Sequence, residues 1–128
     1  FTQGGGTSAT SSALAAYTLT VAELLANNIL DITATVESIT LTLPATSTMT
    51  TLLSTAGDMR EWLIHNATGT SGITMTIAAG SGIDLIGVTT ADDVIDPTEW
   101  SRLTCYRKAT TGATLDVTCI VSELLATD

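Results

Sequence analysis

The 128-residue chain has few charged side chains, few aromatic side chains and only two prolines. Charged residues make up 13% of it and aromatic residues 4%, whereas 45% of the residues are hydrophobic. Disordered chains combine low hydrophobicity with high charge, so this composition excludes a disordered protein. No apolar run approaches the roughly 18 residues of a membrane-spanning helix. The length fits one folded domain with a core of its own.

Positive charge is especially scarce. The only cationic residues are Arg60, Arg102, Arg107 and Lys108, against 13 acidic residues, which gives a net charge of −9. Such a chain repels a phosphate backbone, so we expect no nucleic-acid partner. We also expect no membrane partner. Three of the four cations lie close together in sequence and could meet an acidic protein surface. Nothing after Phe1 has the charged and apolar regions of a signal peptide.

Side chains that carry catalysis are also few. His65 is the only histidine, so any catalytic dyad or triad must use it. Alternation in its strand places His65 opposite Trp62 and Ile64, and no Gly-x-Ser-x-Gly motif accompanies it. The glycines at 80, 82 and 87 lack the lysine and the following helix of a phosphate-binding loop, which favours turns between strands. We therefore expect no enzymatic activity and no cofactor.

Two further motifs have both an ordinary interpretation and a functional one. Asp92, Asp93, Asp96 and Glu99 lie within eight residues, and carboxylate oxygens are calcium ligands. Their spacing matches no EF-hand, so we expect a solvated acidic turn, with calcium binding as the alternative. Asn66 begins a formal glycosylation sequon, but the rest of the sequence gives no support for a glycosylated protein.

Threonine is the most informative residue type, with 27 copies that often alternate with Ile, Leu, Val or Met. This period of two is typical of half-buried strands that carry Thr on the outer face. We predict strands at residues 18–21, 29–36, 39–43, 60–66, 73–77, 83–88, 100–108 and 114–122. Residues 22–25 and 46–54 are predicted as short helices or loops. The expected fold is all-β, an antiparallel β-sandwich or jelly roll of about eight short strands.

The first fifteen residues differ in composition from the rest of the chain. They are rich in Gly, Ser and Thr and carry almost nothing to bury. We divide the chain into an arm at residues 1–15 and a single sandwich domain at residues 16–128. The arm is expected to be a flexible tail, or alternatively an extended segment ordered by a neighbouring subunit or surface.

The last two predicted strands form a hairpin around Gly112. Pairing about this glycine sets Cys105 opposite Cys119 and places both cysteines on one face with Leu103, Val117 and Val121. We expect two buried free thiols, with a cross-strand disulfide as the alternative. Two cysteines at this separation, with one histidine in the chain, do not make a zinc site.

Several strand-and-turn motifs resemble those of small virion proteins of tailed bacteriophages. They are Ile39-Thr40-Leu41-Thr42-Leu43-Pro44-Ala45, then Arg60-Glu61-Trp62-Leu63-Ile64-His65-Asn66, and finally Ala79-Gly80-Ser81-Gly82-Ile83-Asp84-Leu85. The chain is similar over residues 39–121 to capsid decoration, or head-auxiliary, proteins. The resemblance implies a structural role: a compact β-sandwich or jelly roll, often trimeric, that binds the major capsid protein at subunit junctions on the outer capsid surface.

The resemblance also directs attention to residues that would contact the capsid or other subunits. The candidates are Phe1, Thr2, Gln3, Leu24, Leu25, Ile29, Arg102, Arg107 and Lys108. Low charge with high hydrophobicity favours a homo-oligomer, and we expect its interface on the Thr-bearing strand faces. The alternative is the carbohydrate- or receptor-binding domain of a phage fibre or tail protein, which would use Trp62, Trp100 or Tyr106.

Overall fold

Two sheets and two short helices make up the fold. The computed structural model describes residues 6–12 (main chain only), 16–34, 38–69, 71–87, 94–108 and 117–124. The strands are β1 (Gly6–Ser12), β2 (Ala16–Thr18), β3 (Asn27–Ala34), β4 (Ile39–Thr42), β5 (Met59–Asn66), β6 (Met75–Ala78), β7 (Ile83–Gly87), β8 (Val94–Ile95), β9 (Trp100–Arg107) and β10 (Val117–Glu123). Helix α1 is Val21–Ala26 and helix α2 is Thr46–Leu52. The prediction of an all-β chain is confirmed.

The strands divide into a six-stranded sheet and a four-stranded sheet. Sheet A has the order β1-β3-β5-β9-β10-β7, and sheet B has the order β2-β4-β6-β8. The inward side chains of both sheets form one hydrophobic core, so the arrangement is sandwich-like. The described residues contain ten strands where we expected about eight, and β8 has only two residues.

The prediction of an antiparallel sandwich is wrong for most of the strand pairs. Five of the eight ladders are parallel, and only β5–β9, β9–β10 and β6–β8 are antiparallel. The reason is that strands β1 to β6 alternate between the two sheets. Each of β1 to β4 therefore lies beside the strand two positions later in the chain and runs in the same direction, and the fifth parallel ladder joins β7 to β10. Period-two patterning fixes which face is buried but not the direction of the neighbouring strand.

The threonine alternation predicts the inward and outward faces correctly. In β4, Ile39 and Leu41 are buried while Thr40 is exposed, and the neighbouring strand β6 buries Met75 and Ile77. Sheet A buries the corresponding positions of β5, where Trp62 and Ile64 are 0% exposed. Because alternate side chains point to opposite faces, each strand gives one set to the core and one to the outside.

Both predicted helical segments are helices. Helix α1 begins with a capping box, in which the Thr20 hydroxyl accepts from the main chain N–H of Glu23 and the Glu23 carboxylate accepts from that of Thr20. This box ends the strand at Thr18, so the predicted strand over 18–21 is wrong after its first residue. Helix α2 follows Pro44 and buries Met49 and Leu52.

Two of the motifs that carried the resemblance lie against each other. The turn before β7 approaches the end of β4 so closely that a Cβ on Gly80 would collide with the carbonyl oxygens of Leu43 and Pro44. Gly82, in the same turn, has a φ of +80°, which glycine adopts without strain. The glycines of this segment therefore serve a turn between strands, as the sequence predicts.

The C-terminal hairpin has the predicted register but not the predicted thiols. Cys105 lies opposite Cys119, and the two form a disulfide with a Cα–Cα distance of 4.0 Å. The expectation of buried free thiols is therefore wrong, because directly opposed cysteines on one face are close enough to bond. Leu103, Val117 and Val121 share the buried face with them, as expected.

Part of the N-terminal segment belongs to sheet A. Strand β1 pairs in parallel with β3 along its whole length, from Gly6 opposite Asn27 to Ser12 opposite Ala34. Residues 6–12 are therefore extended, which was the second of the two expectations for the arm. The strand that pairs with them is β3 of the same chain, whereas we expected a neighbouring subunit or surface. Residues 1–5 and 13–15 lie outside the described residues.

Candidate functional site

The outer faces of the two sheets differ in chemistry. The outward side chains of sheet B are small, and we call this surface the threonine face. It consists of Ala16, Thr18, Thr40, Thr42, Thr76, Ala78 and Val94. Val94 is the only large apolar side chain among them. This face offers methyl and hydroxyl groups but little apolar area to bury.

The outward side chains of sheet A include many large apolar groups, and we call this surface the apolar face. It consists of Ile29, Met59, Leu63, Ile86, Trp100, Tyr106 and Ile120. Met59 is 66% exposed and Ile86 is 45% exposed, while the other five are partly buried. We expected the subunit interface on Thr-bearing faces. Of the three exposed large apolar side chains among the described residues, Met59 and Ile86 lie on sheet A and Leu25 lies on α1.

Strand register brings the members of the apolar face together. Met59 lies opposite Tyr106 across β5 and β9, and Ile120 lies opposite Ile86 across β10 and β7. Ile29 and Leu63 are neighbours across β3 and β5. The members of each pair lie side by side on the outer surface of strands that are about 4.8 Å apart. The apolar face therefore extends over β3, β5, β9, β10 and β7.

His65 is held at one end of this face by two neighbours. Its Nδ1 lies 2.8 Å from Oδ1 of Asp31, and its ring stacks on Trp100 with the centroids 4.2 Å apart. The three residues are register partners on β3, β5 and β9. The carboxylate of Asp31 thus orients the imidazole, and the indole of Trp100 supports one face of its ring.

The same face also carries charged groups, of which Arg102 and Glu61 are paired with each other. Nε of Arg102 lies 3.5 Å from Oε1 of Glu61, and the Thr104 hydroxyl donates to Glu61. Lys108 is exposed at the end of β9, and Asp84 lies on β7. The face therefore carries both signs of charge beside its apolar groups.

The remaining predicted contact residues are placed differently. Leu24 is 0% exposed and belongs to the core, so it is unavailable to a partner, whereas Leu25 beside it is 42% exposed. Arg107 donates to the carbonyl oxygens of Leu53 and Ser54, which fixes the segment after α2. Phe1, Thr2 and Gln3 lie outside the described residues.

The aromatic residues of the carbohydrate-binding alternative do not form one site. Trp62 is 0% exposed, and its indole N–H donates to the carbonyl of Leu24. Trp100 has one ring face against His65. Tyr106 lies on the apolar face beside Met59. Trp62 is therefore a core residue that joins sheet A to α1.

A buried amide ties together the loops at the far end of β5. Asn66 is 0% exposed; its Nδ2 donates to the carbonyls of Ile73 and Ile95, and its Oδ1 accepts from the N–H of Thr68. The Thr68 hydroxyl in turn accepts from the N–H of Ala34. Every hydrogen of the amide nitrogen is used, so the folded chain offers no acceptor for a glycan at this sequon.

A shallow depression of about 450 Å³ lies above this network. It is lined by Gly69, Ser71, Gly72, Thr74, Asp96, Pro97 and Thr98. Thr98 has a φ of +69°, a strained conformation for a β-branched residue, and its N–H donates to the carbonyl of Asn66. Asp96 is the only ionisable residue of this lining.

The acidic segment shows no metal site in the part of the chain that the structure describes. Asp92 and Asp93 lie outside that part, and no group of three or more metal-ligating side chains occurs within it. Burial raises the pKa of Glu99, and a hydrogen bond with Glu123 and the nearby charges of Glu123 and Asp96 add to the rise. Glu99 and Glu123 therefore form a carboxyl pair at the ends of β9 and β10.

Arg60 is a charged residue on the core side of sheet A. It is 4% exposed and lies opposite Cys105 across β5 and β9. Burial lowers the pKa of its guanidinium, while the carboxylate of Asp58 acts in the opposite direction. Arg60 is thus part of the framework and is not available to an acidic partner.

The sequence does contain a pattern that predicts the apolar face, because apolar residues interrupt the period of two in several strands of sheet A. Unbroken apolar runs occur in described strands of sheet A, among them residues 62–64, 85–86 and 119–121. In a strictly half-buried strand every second residue would be polar. Leu63, Ile86 and Ile120 interrupt that alternation and place apolar groups on the outside. Continuous apolar runs predict strands that are covered on both faces.

Within the described ranges, α1 and α2 have six and seven residues, and no helix is long and apolar enough to cross a membrane. No protein-family model, curated protein or solved structure matches the chain.

Proposed function

We propose that this protein is a structural virion protein that binds the outside of a phage capsid and stabilises it at capsid-subunit junctions, as a homo-oligomer, with a trimer as the expected form. The observation that carries the proposal is the apolar face, a broad outer sheet surface on which Met59 and Ile86 are 66% and 45% exposed. Exposed apolar groups that extend over several strands are typical of surfaces that bind other proteins.

A structural role is supported by the contacts of the histidine, of Asn66 and of the two cysteines, since each of these side chains is bonded to another part of the fold. His65 is held by Asp31 and Trp100, Asn66 is hydrogen-bonded within the loops, and the cysteines form a disulfide. Each of these groups stabilises the fold. The disulfide also suits a protein that functions in an oxidising environment, such as the outer surface of a released particle.

The alternative of a carbohydrate- or receptor-binding domain has less support. Trp62 is in the core and Trp100 is stacked on His65, so neither has two free ring faces for a sugar. The depression above Asn66 has no aromatic side chain in its lining. A flat apolar face suits a protein partner better than a small polar ligand.

The test is the copy number of the protein in purified particles. Intact particles from cells that produce the protein are isolated by density-gradient centrifugation, and the copies per particle are measured by quantitative mass spectrometry. We expect many copies in a fixed ratio to the major capsid protein, and loss of particle stability when the protein is removed. A handful of copies would indicate a fibre or tail protein, and absence from the particles would contradict the proposal.

A further inference from the structure

The sulfur atoms of the chain differ sharply in their access to solvent. They belong to Met49, Met59, Met75, Cys105 and Cys119, all of which lie among the described residues. Met49 and Met75 are 0% exposed. The two cysteines are also 0% exposed and are bonded to each other. Met59 is 66% exposed, so a reagent in solution can reach only its thioether while the chain is folded.

Met59 is also the most exposed large apolar side chain among the described residues. Its exposed fraction of 66% exceeds the 45% of Ile86 and the 42% of Leu25. It begins β5 on the apolar face, opposite Tyr106 of β9, and it does not belong to the hydrophobic core. A chemical change at its sulfur would therefore alter the apolar face directly and leave the core intact.

The chemistry open to an accessible thioether is oxygen transfer from a peroxide. A lone pair of the sulfur attacks one oxygen of hydrogen peroxide, the O–O bond breaks and an S–O bond forms. The thioether is oxidised to a sulfoxide, and the peroxide is reduced to one water molecule that carries both of its hydrogens. The product is a polar, chiral side chain in place of an apolar one. The Cys105–Cys119 bridge is itself a product of oxidation, and the conditions in which it persists favour the same chemistry at Met59.

We propose that Met59 is a site of oxidation by peroxides, and that its sulfoxide makes the apolar face less apolar. This site goes beyond the proposed function, which enters only because it assigns the same face to a protein partner. Met49 and Met75 remain thioethers, because a buried sulfur reacts only when the fold opens. Peroxide therefore changes the surface of the folded protein at one defined position.

The experiment treats the folded wild-type protein and the Met59→Leu variant with dilute hydrogen peroxide at neutral pH. Peptide mapping by mass spectrometry locates the added oxygen, and retention on a phenyl matrix measures the apolarity of the folded surface. We expect Met59 to be oxidised more than about tenfold faster than Met49 and Met75. The oxidised wild type should be retained less than the untreated protein. Met59→Leu keeps an apolar side chain without a sulfur, so peroxide should leave its retention unchanged.

Unfolding in urea before the treatment provides the comparison, because it exposes all three methionines, which should then react at similar rates. Circular dichroism checks that the oxidised wild type remains folded. Comparable rates for the three methionines in the folded protein, or unchanged retention after oxidation of Met59, would overturn the inference. Oxidation at Met59 as expected, in a protein that is absent from particles, would contradict the proposed function and leave this inference standing.

Discussion

The ring of His65 stacks on the ring of Trp100, with centroids 4.2 Å apart and planes inclined by 11°. The two residues face each other across β5 and β9, and Asp31 on β3 holds the imidazole from the other side. Three adjacent strands of sheet A are thereby linked on their outer surface. The only histidine of the chain takes part in this linkage.

Replacement of His65 measures how much the stacking on Trp100 and the hydrogen bond to Asp31 each contribute to the free energy of unfolding. We expect His65→Ala to lower the free energy of unfolding by about 1–2 kcal/mol, because the stacking and the bond to Asp31 are both lost. His65→Phe keeps a ring on Trp100 and should lose less. Urea unfolding at neutral pH provides the measurement. Equal losses in the two variants would show that the stacking contributes nothing.

The disulfide prediction concerns Cys105 and Cys119. The bridge closes a loop with a sequence separation of 14, so we expect its removal to cost about 3 kcal/mol. Cys105→Ala, Cys119→Ala and a reducing agent should each give a similar loss, and the double variant should lose little more. Thiol titration of the unfolded, unreduced protein should find no free thiol. Two titratable thiols would contradict the bridge.

The Asn66 prediction concerns the loop network. Asn66→Ala removes the donors to the buried carbonyls of Ile73 and Ile95, so we expect a loss of about 2–3 kcal/mol in the free energy of unfolding. Asn28→Ala, at an exposed position of β3, is the matched control and should change it little. Thermal unfolding compares the two. A loss of similar size in both variants would show that the network has no special contribution.

The pH prediction follows from the raised pKa of Glu99. Its carboxyl binds a proton more tightly in the folded chain than in the unfolded chain, so this group favours folding at low pH and the contribution is lost as pH rises through the folded pKa. Glu123→Gln removes the neighbouring charge. We expect this variant to be more stable than the wild type at pH 7, by less than about 1 kcal/mol because the site is partly exposed.

The difference between Glu123→Gln and the wild type should shrink as the pH falls towards 4.5, the ordinary value for a glutamate. Urea unfolding across this range is the measurement. Asp84→Asn serves as the control, since it removes one negative charge from β7, away from the carboxyl pair. A stability gain that stays constant with pH would show that the Glu99–Glu123 contact does not carry the effect.

The local sequence pattern predicts where the strands lie and which of their faces are buried. It does not predict which strands pair with each other or in which direction they run. The alternation of Ile39, Thr40 and Leu41 gives the buried face of β4, and the turn glycine gives the register of the last hairpin. Neither pattern says that β4 runs parallel to β6, because that depends on the path of the intervening chain. The polar sequence of β1 contains no apolar period, so its place in sheet A could not be predicted from periodicity.

The candidate surface was harder to predict than the core. The sequence predicts Ile29 at a contact, and it lies on the apolar face. Leu63 and Ile120 are predicted only as strand residues, and Met59 lies just before the predicted strand at 60–66. Their exposure depends on which strands neighbour them in sheet A. Leu24 was expected at a contact and is in the core, since a six-residue helix gives no clear period to separate it from Leu25.

The alternation of strands between the sheets has a consequence for the rate of folding. The parallel ladders join residues that are far apart in sequence: Thr7 pairs with Ile29, and Ile29 pairs with Leu63, which is 34 positions later. Neither sheet can propagate as a series of local hairpins, so long loops must close before most ladder hydrogen bonds form. We expect slow folding for a chain of this size, with the C-terminal hairpin of β9 and β10 as its most local nucleus.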